Sequence, residues 1–196
     1  MLTVLKPHAE KALQPVGRLL RNVNPNAITL FGLITPVLFF VFLVRGWYWW
    51  ALFAIVLNAL DMLDGLVARM SNKVSAFGGL LDSTIDRVAD FAIIAAFGFA
   101  GLVSWRIILP LLMLTYLISY IRSRTELAAK GNLVASVGIM ERTERFIAIF
   151  AGLLLFAIFP RVHIMGQNIM SCVFVLLIIL SFITVLQRFH FAYKKL

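Results

Sequence analysis

Apolar residues in this chain run in long blocks and do not alternate with polar ones. Blocks cover 27–44, 47–70, 78–102, 105–127, 138–159 and 168–191, each parted from the next by a short polar or glycine- or proline-bearing stretch. A helix needs about 20 such residues to cross the hydrocarbon core of a bilayer, and only helices or closed barrels satisfy their backbone there. The pattern therefore predicts an all-α protein, an integral membrane six-helix bundle. Asn24-Pro25-Asn26 is a helix-start signal, with Asn26 placed to cap the first span. Arg45-Gly46 ends that span, and Pro160 closes the fifth. Residues 1–21 carry a different pattern. At ~100° per residue, Leu2, Leu5, Ala9, Leu13, Val16 and Leu20 share one side, while Lys6, Lys11, Arg18 and Arg21 fall away from it. This predicts an N-terminal interfacial amphipathic helix over 1–21, interrupted near Pro15, ahead of a six-span transmembrane domain over 22–196.

Composition supports the membrane reading. The chain is 62% hydrophobic and 14% charged, far from the soluble norm. No internal repeat and no separate soluble domain is visible. The first apolar block begins only at Ala27 and is followed by others, so it reads as a retained span and not a cleaved signal. Cys172, the only cysteine, lies in an apolar run and reads as a packing residue; an intramolecular disulfide is excluded. The net charge of +9 points to topology and to anionic membrane lipid, not to nucleic acid. Trp47, Tyr48, Trp49 and Trp50 form an aromatic belt at one end of the second block. Six spans put both termini on one side. Of the 18 lysines and arginines only Arg45, Arg106 and Arg161 fall on the other, and all nine acidic residues share the N-terminal side. The positive-inside rule makes that side cytoplasmic, so a multi-pass protein of the cell membrane is expected, with any chemistry facing the cytoplasm.

The acidic residues change the picture most. Asp61, Asp64, Asp82, Asp86 and Asp90 lie in one stretch of an otherwise apolar chain. Asp61 and Asp64 share a helix face, and Asp82, Asp86 and Asp90 form a second stripe at steps of four. A basic turn from Arg69 to Ser75 joins them, so two antiparallel helices would aim both sets into one space. Uncompensated, five such carboxylates in a bilayer would cost on the order of 10–15 kcal/mol. Hard divalent cations compensate most simply. The residues alone assign metal binding to Asp61, Asp64, Asp82 and Asp86, and a carboxylate at the cluster's edge can accept a proton. Two divalent cations among four carboxylates can bind a diphosphate and neutralise its charge. An Asp-lined path for divalent cations is the alternative from a different class, but it gains nothing from the arginines nearby.

The same stretch resembles the signature of the CDP-alcohol phosphatidyltransferases, D-x-x-D-G-x-x-A-R followed by G-x-x-x-D-x-x-x-D. Asp61, Asp64, Gly65, Ala68, Arg69, Gly78, Asp82 and Asp86 fill all of its fixed positions. The resemblance implies that Asp61, Asp64 and Asp82 are the principal ligands of two Mg²⁺ ions (Mn²⁺ being an alternative), and that Asp86 is the catalytic base. It implies that Asp61, Asp64, Gly65, Ala68, Arg69, Gly78 and Asp82 bind the CDP-lipid, and that the enzyme is a homodimer. Gly65 and Gly78 would let the nucleotide approach the helix backbones, and Arg69 would pair with phosphate.

A second cluster spans Ser119–Glu126 and Gly138–Arg145. With Ser83, Thr84 and Arg87 inside the aspartate stripe, these segments resemble the inositol-phosphate-using branch of the family. The glycerol-phosphate branch usually reads D-P-x-A-D-K there. The expectation is transfer from CDP-diacylglycerol or CDP-archaeol to inositol phosphate, with CMP released. By the same resemblance Arg122, Arg145 and Arg188 hold the acceptor's phosphate. Glycerol 3-phosphate or another alcohol is the alternative acceptor.

Overall fold

The computed structural model describes residues 14–15, 18–20, 22–58, 63–130, 133–135, 137–164 and 166–196. The amphipathic helix expected over 1–21 falls almost wholly outside them, as does Asp61. The chain forms two compact units, Met1–Ala96 and Phe97–Leu196.

In the first unit, α1 runs Pro25–Phe31 and α2 Ile34–Val44. Asn24, not Asn26, caps α1: its side chain accepts the Asn26 N–H at 3.0 Å, and Pro25 takes the first helical position. The expected single helix over 27–44 is thus two segments. Pro36 has no N–H to give the Gly32 carbonyl one turn back, and the Thr35 hydroxyl lies 3.0 Å from that oxygen instead. Helix α3, Tyr48–Leu57, packs on α2, and Phe39 and Leu43 of α2 and Ala51 and Ile55 of α3 are buried. The block expected over 47–70 resumes as α4, Leu63–Met70, which packs against α1. Asn72, at φ 55°, turns the chain after α4, and Ser75 receives the Gly78 N–H at 3.0 Å as α5, Ala76–Phe99, begins.

In the second unit, α6 (Trp105–Ala128) starts at a Ser104 cap, α7 covers Arg142–Ile158, and α8 covers Ile169–Lys195 behind an Asn168 cap. Helix α8 packs on both α6 and α7, with Leu111, Ile118, Ile149, Leu153, Phe174 and Leu177 buried. Asn168 also donates through Nδ2 to the Leu102 carbonyl at 2.6 Å. The loop before α8 holds a short antiparallel pair, β1 (His163–Ile164) with β2 (Gln167–Asn168), turned at Gly166 with φ 77°. The all-α expectation did not include this ladder. The fifth block was expected to be helical from Gly138; helix α7 begins four residues later, because the preceding segment hydrogen-bonds to α8 instead of to itself.

The protein is mostly helical. Among the described residues, Pro25–Val44, Trp105–Ala128 and Ile169–Lys195 are long and apolar enough to cross a membrane.

Candidate active site

In the first unit, α1, α4, the turn after it and the start of α5 surround a pocket of about 260 Å³. Its lining includes Asp64, Gly65, Ala68 and Arg69 from α4, and Gly78 and Asp82 from α5. Six of the residues that fill the family signature therefore meet in one place. Helical geometry explains this: Asp64 and Ala68 are one turn apart, as are Gly78 and Asp82. Asp86, the next step of the stripe, does not line the pocket; its Oδ2 lies 3.8 Å from Arg87 Nη1. Asp90 is fully buried one turn further on.

Asp64 is only 7% exposed. Its Oδ1 receives the Gly65 N–H, and its Oδ2 the Thr29 hydroxyl at 2.6 Å. Pro25, Asn26, Thr29, Lys73, Ser75 and Gly79 also line the pocket and were not singled out from sequence. The Asn24-Pro25-Asn26 signal marked this segment only as a helix start, since the packing of α1 against α4 is long-range. At Gly78 a Cβ would sit 3.1 Å from Ser75 Oγ and 3.3 Å from Asn26 Oδ1, so those side chains would have to give by a few tenths of an ångström. At Gly65 a Cβ would meet only Arg69 Nη1 at 3.4 Å, an ordinary contact.

The lining is chemically two-sided. Asp64 and Asp82 offer hard oxygen donors, with no sulfur or imidazole among the described lining residues, a donor set that fits Mg²⁺ or Mn²⁺. Arg69 and Lys73 offer cations for phosphate oxygens. Among the described residues no group of three acidic or histidine side chains converges as a complete metal cage; Asp61 lies outside them.

The arginines of the second unit are placed differently from one another. Arg188 is 4% exposed. Its Nε donates to the Val137 carbonyl at 2.8 Å, Nη1 to the Ile118 carbonyl at 2.7 Å, and Nη2 to Glu141 Oε1 at 3.2 Å. Arg145 is equally buried, whereas Arg122 is partly exposed and donates through Nε to Glu126 Oε1 at 3.0 Å. That same Glu126 oxygen accepts the Ala135 N–H at 3.1 Å. Met140 N–H donates to Thr184 Oγ1 at 3.0 Å, and Ile139 N–H to Gln187 Oε1 at 3.2 Å. The segment before α7 is therefore strapped to α8, and Gly138, at φ 136°, lies against Thr184. Sequence reasoning found the arginines but not Thr184 or Gln187, which sit in an apolar helix with no local signal.

The chain belongs to the CDP-alcohol phosphatidyltransferase family, whose sequence profile matches residues 22–185. It is 38% identical to the archaetidylinositol phosphate synthase of Pyrococcus horikoshii over 199 aligned positions, covering 100% of this chain and 98% of that protein. Its fold matches the crystal structure of Mycobacterium tuberculosis phosphatidylinositol phosphate synthase with CDP-DAG bound. The TM-score is 0.78 at 28% identity, over 92% of each chain. A second structure of that protein, in complex with manganese and citrate, matches with a TM-score of 0.77 at 29% identity, over 92% of this chain and 88% of the other.

Proposed function

We propose that this membrane protein transfers the phosphatidyl or archaetidyl group of a CDP-lipid to inositol phosphate and releases CMP. The observation that carries the reading is the single pocket that gathers Asp64, Gly65, Ala68, Arg69, Gly78 and Asp82. The relatives' names, archaetidylinositol phosphate synthase and phosphatidylinositol phosphate synthase, support inositol phosphate as acceptor.

In this reading Arg69 and Lys73 hold the diphosphate, and Gly65, Ala68 and Gly78 leave room for the nucleotide beside the backbone. Asp61, Asp64, Asp82 and Asp86 would hold two Mg²⁺ ions, or Mn²⁺, and the ions would supply charge to neutralise the diphosphate and stabilise the leaving phosphate. Asp86, one helical turn beyond the pocket-lining Asp82, takes the proton of the attacking hydroxyl. The hydroxyl oxygen bonds to the phosphorus that carries the lipid, the bond from that phosphorus to the CMP oxygen breaks, and CMP departs with the electron pair. Arg122, Arg145 and Arg188 serve the acceptor's phosphate. Among the described residues, Arg188 Nη1 and Nη2 each have one hydrogen-bond partner, Ile118 and Glu141, and each carries a second proton that would serve the phosphate.

The wider arrangement belongs to the same proposal: a helix lying on the membrane over 1–21, six spans over 22–196, a homodimer in the cytoplasmic membrane, and a site open to the cytoplasm. The test is purified protein with CDP-lipid and Mg²⁺, offered inositol phosphate, glycerol 3-phosphate and free inositol, with CMP release measured. Release with inositol phosphate is expected; none with any alcohol overturns the reading.

A further inference from the structure

We infer that Thr29 is a positioning residue for Asp64: its hydroxyl fixes the carboxylate in the orientation that a divalent cation requires. This rests on the metal reading above. Thr29 is 4% exposed, on α1, and comes from 35 residues before Asp64. Its single hydroxyl proton has two acceptors in range, the Pro25 carbonyl at 3.1 Å and Asp64 Oδ2 at 2.6 Å. A helical threonine ordinarily bonds back to the carbonyl one turn earlier. Here the carboxylate is nearer, and it lies at the distance of a charge-assisted O–H···O⁻ bond. The proton therefore goes to Asp64.

The consequence for Asp64 is that each of its oxygens has one donor from a different direction, Gly65 N–H on Oδ1 and Thr29 on Oδ2. The plane of the carboxylate is set before any ligand arrives. Each oxygen keeps lone-pair capacity for a cation in the pocket that both residues line. Outer partners of this kind hold a ligand's orientation, and their loss typically costs 10–100-fold in metal affinity. Packing of α1 on α4 would be served equally well by valine, which has nearly the same shape but no hydroxyl.

The test is Mn²⁺ binding in the presence of CDP, read by the paramagnetic resonance signal of free Mn²⁺, with no turnover involved. Wild type, Thr29→Val and Thr29→Ser are compared, and thermal melting is recorded for each. Thr29→Val is expected to bind Mn²⁺ about 10–100-fold more weakly, while Thr29→Ser, which keeps the hydroxyl, stays close to wild type. Equal affinity in wild type and Thr29→Val overturns the inference alone. So does a loss in Thr29→Ser as large as that in Thr29→Val, which would make the methyl group the important part. Wild-type protein that takes up no Mn²⁺ brings down the metal reading, and this one with it.

Discussion

Arg188 and Glu141 stand 3.2 Å apart across 47 residues of sequence, and the same guanidinium also holds the carbonyls of Val137 and Ile118. One side chain thus joins α6, the segment before α7, and α8. A buried guanidinium with this many partners is costly to break, because the Ile118 carbonyl loses its donor in a buried site and the part-buried Val137 carbonyl and Glu141 carboxylate lose theirs as well. Removing one partner of a buried pair typically costs roughly 3–5 kcal/mol. Lysine cannot reproduce the fork. Arg188→Lys is therefore expected to melt at a lower temperature in detergent than wild type and to raise KM for inositol phosphate. Unchanged melting would mean that the network contributes little to the fold.

Gly138 tests the same region without touching a charge. Its φ of 136° is a conformation that side chains rarely adopt, and a Cβ there would collide with Thr184 Cγ2. Gly138→Ala is expected to loosen the strap formed by Met140 N–H on Thr184 and Ile139 N–H on Gln187. KM for the acceptor should rise while KM for the CDP-lipid stays put. Gly138→Ala/Thr184→Ser removes the colliding methyl but not the backbone strain, so it should recover only part of the loss. Full recovery would assign the effect to the collision alone.

The metal reading predicts that Asp61→Asn, Asp64→Asn and Asp82→Asn each abolish turnover in a protein that still folds. EDTA should do the same, with activity restored by Mg²⁺ or Mn²⁺. Full activity of any one variant at saturating substrate would contradict it. Asp86→Asn is expected to behave differently: a strong fall in kcat, with CDP-lipid binding kept better than in Asp61→Asn. Equal loss of binding in the two would leave Asp86 a ligand only.

Much of this was legible because it is local. Long apolar runs specify helices in a membrane, and steps of three and four put Asp64, Ala68, Gly78 and Asp82 on the faces that line the pocket. What was not legible depends on contacts distant in sequence. Thr29 joins the site only because α1 packs on α4. Helix α7 starts at Arg142, not Gly138, because Thr184, Gln187 and Arg188 take the hydrogen-bonding groups of residues 137–141. The division of the first span had a local cause in Pro36, which a purely apolar count passes over. Asp86 and Asp90 share a stripe with Asp82 but not its surroundings, since steps of four carry successive residues along a helix and away from a pocket at one end.

The acceptor is decided by the arginines. If Arg122, Arg145 and Arg188 hold a phosphate, each loss removes a charge-assisted bond contributing about 1.5–3 kcal/mol, or roughly a tenfold to hundredfold change in affinity. Arg145 is taken as the test, since it is 2% exposed and stands near the start of α7, where backbone N–H groups also favour an anion. In Arg145→Ala, KM for inositol phosphate is expected to rise by that factor, with a much smaller change in KM for the CDP-lipid. Free inositol should be a poor substrate for the wild type, because it has no phosphate for the arginines to hold, and Arg145→Ala should barely alter its use. Kinetics with inositol phosphate, glycerol 3-phosphate and free inositol in both proteins separate the outcomes. Free inositol working as well as its phosphate ester would make the arginines determinants of topology and folding. Use of glycerol 3-phosphate alone would keep the transferase chemistry and replace the acceptor.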